Sequence, residues 1–415
     1  MGTCFYNWAG CAIGGSNHPA TTIAYTSLSP FFGTPSASFL GHKGSRRVDA
    51  QHAALLNGIA SHVHDYDDTI LDTIIHPTGP IASALLAVAE WKGGFSGKEF
   101  LLALIVGIEA EFKVGLAVWP EHYDVGWHIT STTGSIGAAA AVAKLFDLPI
   151  DQTTHALGIA ATQVVGLREM FGSHTKSFHP GRAAQNGIMA AVLAQGGYTS
   201  SEQALEATRG WANIVGVTKS DVGESLAKWK KSFKPFPCEI VIHPIIDTCS
   251  QLHREMKDNG FTAKDIKSIR AHVHPLVLEL TGKKKPRDGQ EGKFSVYHGA
   301  AIGILYGKGT PSQYEDRVVQ SEEVISIRDK VEAVADSNLG ADEAIIMIVW
   351  ENGKELQKHV KHAVGSLEVP MDDKMLQQKF ENQCVGVLGE SVKEVSDACW
   401  SIEYAKDVAD IARSI

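Results

Sequence analysis

The chain has 415 residues, more than one ordinary hydrophobic core organises, so two or three domains are expected. Its 44% hydrophobic and 20% charged residues describe a globular chain and exclude disorder as the main state. With 38 Lys+Arg against 47 Asp+Glu the formal charge is −9, which excludes a general electrostatic grip on nucleic acid or an anionic membrane but leaves room for a small anion held by a local group of cations.

The cysteines, Cys4, Cys11, Cys238, Cys249, Cys384 and Cys399, are scattered and never in C-x-x-C spacing. That argues against a zinc knuckle or a disulfide scaffold and fits a reducing compartment. The opening MGTCFYNWAGCAIGG lacks the basic start of a secretory signal, and Tyr6 stands where a myristoylation motif needs Ser or Thr.

Up to about residue 230 the chain reads as helix after helix. Ser96 and Glu99 fit a capping box that opens the apolar run from Phe100 to Val118. Glu109, Glu111 and Lys113 interrupt that run, so it reads as a buried helix and not as a membrane span. Ser131 to Phe146 is rich in Ala and Gly, which lets helices approach closely. Pro149 stops it, and Asp151 is placed to cap the next helix. A further helix is expected to follow His179-Pro180-Gly181 and to run to about Ala194, and Ser200 with Gln203 offers a second capping box. Gly93-Gly94 and Gly196-Gly197 read as helix C-caps.

The texture changes after Lys234-Pro235-Phe236-Pro237. Ile269, Ala271 and Val273 alternate with Arg270, His272 and His274, a half-buried strand. A second strand pair is expected from Ala344 to Trp350 and from Leu356 to Val360, joined at Asn352-Gly353 by a type I′ turn. Helices are expected near Pro244–Met256, Ser295–Leu305 and Glu322–Ala335, and again over Val392–Trp400 and Tyr404–Ile411. The fold class is therefore mainly α with a smaller α+β unit carrying an antiparallel sheet.

Four stretches concentrate polar groups beside Gly and Pro: His62 to Thr69 with His76-Pro77, Gly126-Trp127-His128, Lys176 to Arg182, and Lys234 to Pro237. As a metal site, His62-x-His64 falls short. Tyr66 and Asp67 stand where the H-x-H-x-D-H pattern needs Asp and His, and on a helix the two rings point about 200° apart. As acid–base chemistry the stretches fit together better. On a helix Asp65 and Thr69 share a face. His76 and His128 sit at element ends like general acid–base residues, and Lys176 and Lys234 are suited to hold carboxylates or steady developing negative charge. A structural role for a lone histidine or a surface role for a lone lysine is the plainer reading of each alone. No G-x-G-x-x-G, G-x-x-x-x-G-K-[ST] or G-x-S-x-G motif is present, so the chemistry is expected to be done by side chains without a cofactor or metal.

Taken together, Asp65-Tyr-Asp-Asp-Thr69 with His76-Pro77, Gly126-Trp-His128, Lys176-Ser-Phe-His-Pro-Gly-Arg-Ala-Ala-Gln-Asn-Gly187, Lys234-Pro-Phe-Pro237 and Lys293-Phe-Ser295 resemble the MmgE/PrpD family. This family includes 2-methylcitrate dehydratases, cis-aconitate decarboxylases and an iminodisuccinate epimerase. The resemblance implies a helical domain from both chain ends (1–234 and 368–415), an inserted α+β lid (235–367), and a homodimer. It also implies an active site between domain and lid that contains Asp65, Thr69, His76, His128, Lys176 and Lys234. His76 or His128 would move the proton, Asp65 would orient a histidine, Thr69 would hydrogen-bond substrate, and the two lysines would bind carboxylates. The lid tyrosine is displaced: Tyr297 stands one position early and His298 takes the aligned place, so both are candidates for substrate binding. The step from Thr69 to His76 is also one residue longer than in the family's decarboxylase pattern. The chain opens near the family's second helix. The expected function is a cofactor-free lyase on a small di- or tricarboxylate, in the cytoplasm, or in the mitochondrial matrix if a natural leader precedes the chain. An epimerase of a related dicarboxylate and a catalytically inactive binding protein are the alternatives, with a zinc hydrolase more distant.

Overall fold

A computed structural model of the protein describes residues 1–216 and 231–415, so the end of the first helical stretch, 217–230, lies outside the described residues. The chain divides into two compact units. Met1–Val63, Asp67–Lys231 and Lys374–Ile415 form one, and His64–Tyr66 with Ser232–Asp373 form the other.

The first unit is helical, and the fold is mainly α. Ser96 and Glu99 close a reciprocal capping box on the helix Gly97–Val118. The Ala-rich helix Ile129–Leu145 is buried along almost its whole length and packs on Gly97–Val118 and His174–Gln195. Small residues permit this: where Ala50–His62 meets His174–Gln195, a Cβ added to Gly58 would lie 2.4 Å from Gly181 Cα. Cores at crystal density cannot absorb such an overlap, so the two glycines fix the crossing that carries His62 on one helix and Lys176 and His179 on the other. All six cysteines are buried free thiols. Among the described residues no helix is long and apolar enough to cross a membrane.

Three helical expectations for this unit are corrected. The helix expected after His179-Pro180-Gly181 starts earlier, at His174, and runs through Pro180 to Gln195, so Lys176 and His179 sit one turn apart on it. Ser200 and Gln203 open no helix: the Ser200 amide donates to His155 Nδ1 and its hydroxyl to His155 O, so this tertiary tie uses the groups a cap would need. The last helix is Val408–Ser414, capped by Asp407, with only a short 3₁₀ turn at Ile402–Tyr404.

The second unit is built on a four-stranded sheet in the order Val331–Ala335, Ile266–Val273, Ala344–Trp350, Glu355–Val360. Ile269, Ala271 and Val273 are buried on its core face as the alternation requires. Helices His243–Asp258 and Val296–Tyr306 pack together, and the same apolar cluster holds Ile245, Cys249, Ala300, Ile346 and Ile348. The sheet is mixed rather than antiparallel, because Val331–Ala335 pairs parallel to Ile269–Val273. The helix expected over Glu322–Ala335 accordingly stops at Arg328, where β-branched Val331 and Val334 enter the sheet. The hairpin after Trp350 is also not type I′: Gly353 has φ +78° but Asn352 is not left-handed, and the Gly353 amide returns to Trp350 O, a four-residue turn with the glycine as its bulge.

Candidate active site

The helix Ala50–His62 ends at His62, with Val63 as its C-cap. Asp65 then takes φ +51°, and Thr69–Ile70 is extended. Asp65 and Thr69 therefore do not share a helical face. An antiparallel bridge between Ile70 and Ile75 returns the chain so that His76 lies beside Thr69. The His76 amide donates to Thr130 Oγ1 at 3.1 Å, and its Nδ1 lies 3.2 Å from Thr69 Oγ1 and 3.4 Å from Asp67 Oδ1. The other Asp67 oxygen meets His62 Nδ1 at 2.8 Å, with both side chains wholly shielded from solvent. Asp68 accepts from Thr78 Oγ1 at 2.6 Å.

The electrostatics of this group follow from its burial. Burial alone would push the Asp67 carboxyl up, but the imidazoles of His62 and His76 beside it hold it well below the usual range. Burial lowers His62 to about 4 in spite of Asp67. The pair is thus a carboxylate accepting from a neutral imidazole, His62 Nδ1–H to Asp67. Asp67 is the orienting carboxylate for two histidines.

His128 precedes the helix Ile129–Leu145, and its ring centroid lies 6.0 Å from that of His62. Its amide donates to Gly166 O at 3.1 Å, its ring meets Phe171 edge-on at 5.1 Å, and its Nδ1 is 2.9 Å from His179 Nδ1. Lys176, 6% exposed, places its ammonium 5.1 Å from the Phe171 ring centroid. Burial first, then His179 and Lys176, holds His128 well below its ordinary value; burial, His62 and Lys176 lower His179 to about 4. The helical unit thus brings together Thr69, His76, His128 and Lys176 from the expected set.

In the second unit Lys234 Nζ is held by Asp65 Oδ1 at 2.7 Å and by Cys238 O at 3.2 Å, both charges buried. Tyr66 donates to Pro235 O at 3.0 Å. Tyr297 belongs to the apolar core of this unit. His298 is wholly buried: its amide donates to the Ser295 hydroxyl that caps its helix, its Nε2 lies 3.0 Å from Gln313 O, and burial lowers it to about 4. Both residues were expected at the substrate, and their described contacts are with the interior of the second unit.

Donor atoms of His62, Asp67 and His76 lie within 4.8 Å of one another, as do those of exposed Asp342, His362 and Glu368, and either group has the chemistry of a cation site. In the first, however, His62 Nδ1 and one Asp67 oxygen already satisfy each other.

Residues 1–221 match the MmgE/PrpD N-terminal domain and residues 236–402 the MmgE/PrpD C-terminal domain. The chain belongs to the MmgE/PrpD family. Among its relatives, a cis-aconitate decarboxylase-like protein of Aspergillus oryzae is 27% identical over 433 residues, covering 97% of this chain and 89% of that protein. Human cis-aconitate decarboxylase is 27% identical over 352 residues (80% and 72%), and the 2-methylcitrate dehydratase of Escherichia coli 23% over 367 residues (82% and 74%).

Reading this MmgE/PrpD chain by motif weighs His62 only as a metal ligand and leaves Asp67, His179 and Thr130 out of the candidate set. The signal for Asp67 was present in the run Asp65-Tyr66-Asp67-Asp68, but all three carboxylates are buried and the run leaves open which of them meets a histidine. His122 shows the opposite case. Its Nδ1 is 2.9 Å from Val215 O and its Nε2 2.6 Å from Thr132 Oγ1, so it is a satisfied core residue.

The buried histidines also set an acid limit. Burial lowers His62, His122, His179 and His298 from 6.5 to about 4. Between those values the unfolded chain binds more protons than the folded one, so this stability is full above pH 6.5 and is lost as pH falls toward about 4. The melting temperature is expected to drop steadily across that window; a flat profile there would show that these imidazoles are protonated in the fold.

Proposed function

We propose that the protein is a lyase that acts without a cofactor on a small di- or tricarboxylate, by proton transfer at a carbon beside a carboxylate and loss of water or CO₂. The observation that carries this reading is the buried group in the helical unit: two histidines, His76 and His128, each with its Nδ1 engaged by a neighbour, and Lys176 beside them. The names of the relatives, cis-aconitate decarboxylase and 2-methylcitrate dehydratase, support the same substrate class.

A C–H bond next to a carboxylate is a weak acid, so a base alone does little; a cation must stabilise the enediolate that forms. In dehydration, an imidazole Nε2 takes the proton, and the electron pair left on carbon forms the C=C bond as the β C–O bond breaks and the protonated hydroxyl leaves as water. In decarboxylation the pair left by departing CO₂ stays on carbon and an imidazolium protonates it. In this reaction Lys176 is the cation that stabilises either carbanion. An epimerase is the second reading. The presence of two separately positioned imidazoles favours it, since removing a proton and returning it to the opposite face takes two acid–base groups.

Proton NMR in D₂O with 2-methylcitrate, cis-aconitate and iminodisuccinate, in the presence and absence of a chelator, tests this. Net loss of water or CO₂ that is indifferent to the chelator is the expected result. Deuterium incorporation alone supports epimerisation, and no exchange with any of the three acids rejects the proposal.

A further inference from the structure

The contact between His128 and His179 carries a consequence for the chemistry of His128. Both Nδ1 atoms lie 2.9 Å apart, which is hydrogen-bond distance, yet two bare nitrogen lone pairs repel and two N–H groups clash. One hydrogen must lie between them. His128 cannot easily turn away, because its amide is held by Gly166 O and its ring is flanked by Phe171 and His62. His179 is a buried residue of the helix His174–Gln195, one turn from Lys176.

We propose that His179 is a positioning residue for the reaction: its Nδ1 accepts the hydrogen on His128 Nδ1, and so leaves His128 Nε2 as the unprotonated, basic face. This rests on the proton-transfer reading above. An imidazole is a base at Nε2 only while its hydrogen is on Nδ1, and free histidine prefers the reverse tautomer, so something must hold the hydrogen in place. In an Asp–His arrangement a carboxylate does this. Asp67 does it for His62 at 2.8 Å, whereas His128 has a neutral imidazole in that place. When His128 Nε2 takes a proton from carbon, the C–H bond breaks, an N–H bond forms and the electron pair stays with the substrate. The Nδ1–H···N bond to His179 becomes charge-assisted and strengthens at that moment. Because His179 is neutral, it adds no negative charge of its own beside the carboxylate substrate.

The deciding measurement needs no substrate. Long-range ¹H–¹⁵N spectra of the protein at pH 7, with His128 assigned by comparison with His128→Gln, report which ring nitrogen carries the hydrogen. Protonated Nδ1 and bare Nε2 on His128 are expected, and the opposite tautomer overturns the proposal. In His179→Leu, which fills the space without an acceptor, His128 is expected to change to the Nε2–H form. In that variant kcat is expected to fall about 10²-fold with KM little changed. In His179→Asn the amide oxygen can stand near the place of Nδ1, and both the tautomer and most of kcat are expected to return. Equal loss in the Asn and Leu variants, with the tautomer unmoved, would assign His179 a packing role. Should no polycarboxylate turn over at all, the proton-transfer reading fails while the tautomer still answers the question about His179.

Discussion

Replacing Lys176 by alanine is expected to reduce turnover by about 10³-fold or more while the protein stays folded. Lys176 is buried near the start of the helix His174–Gln195, with its ammonium against the face of Phe171. Keeping an ammonium in such a place costs desolvation energy, which a purely structural lysine would avoid by reaching the surface. Its field is already visible on its neighbours: after burial itself, it is among the influences that lower His62, His128 and His179. The same field would stabilise negative charge on a substrate carbon. Removing it should therefore have two separable effects. Turnover is lost because the enediolate has no counter-charge, and the three histidines become easier to protonate. Histidine titrations by NMR should move toward higher pH in Lys176→Ala. Retained activity with the same shift in titration would mean that another group stabilises the carbanion, and would remove Lys176 from the mechanism.

What the sequence makes legible here is local. The Ser96–Glu99 box, the alternation through Ile269, Ala271 and Val273, and the hairpin at Asn352-Gly353 each depend on a few neighbouring residues, and each element is present. Where expectation and structure part, a distant partner decides. Ser200 looks like a cap until His155, 45 residues away, occupies its hydroxyl. Val331–Ala335 continues a helical pattern, but the vacant edge of Ile266–Val273 takes it as a strand. The site behaves in the same way. His76, His128 and Lys176 carry their chemistry in the residue type and in the motif around them. The groups that orient the histidines do not: His179 lies 51 residues from His128, and its place after Lys176-Ser-Phe reads as the approach to a helix because Pro180 follows. Asp65 and Asp67 are two residues apart in one acidic turn. The left-handed backbone at Asp65 and the return through the Ile70–Ile75 bridge set Asp67 against His62 and His76, while Asp65 pairs with Lys234.

That last distinction can be tested by a matched pair of substitutions, Asp67→Asn and Asp65→Asn. In Asp67→Asn the shape is kept, but an amide presents one acceptor where the carboxylate presents two. His62 and His76 both address that group through Nδ1, so the amide N–H must face one of the two rings. That ring is forced to the tautomer with a bare Nδ1, and its Nε2 becomes a donor instead of a base. The expected result is a fall of about 10²–10⁴-fold in kcat, with KM and melting temperature changed little. Asp65→Asn removes half of a different pair. Asp65 Oδ1 is 2.7 Å from Lys234 Nζ, both buried, and loss of the carboxylate leaves an ammonium without its counter-charge. Breaking such a pair costs about 3–5 kcal/mol, so a large drop in melting temperature is expected. The two aspartates thus separate rate from stability: wild-type kcat in Asp67→Asn would show that the orienting carboxylate is not needed, and an unchanged melting temperature in Asp65→Asn would show that the Lys234 pair does not stabilise the second unit.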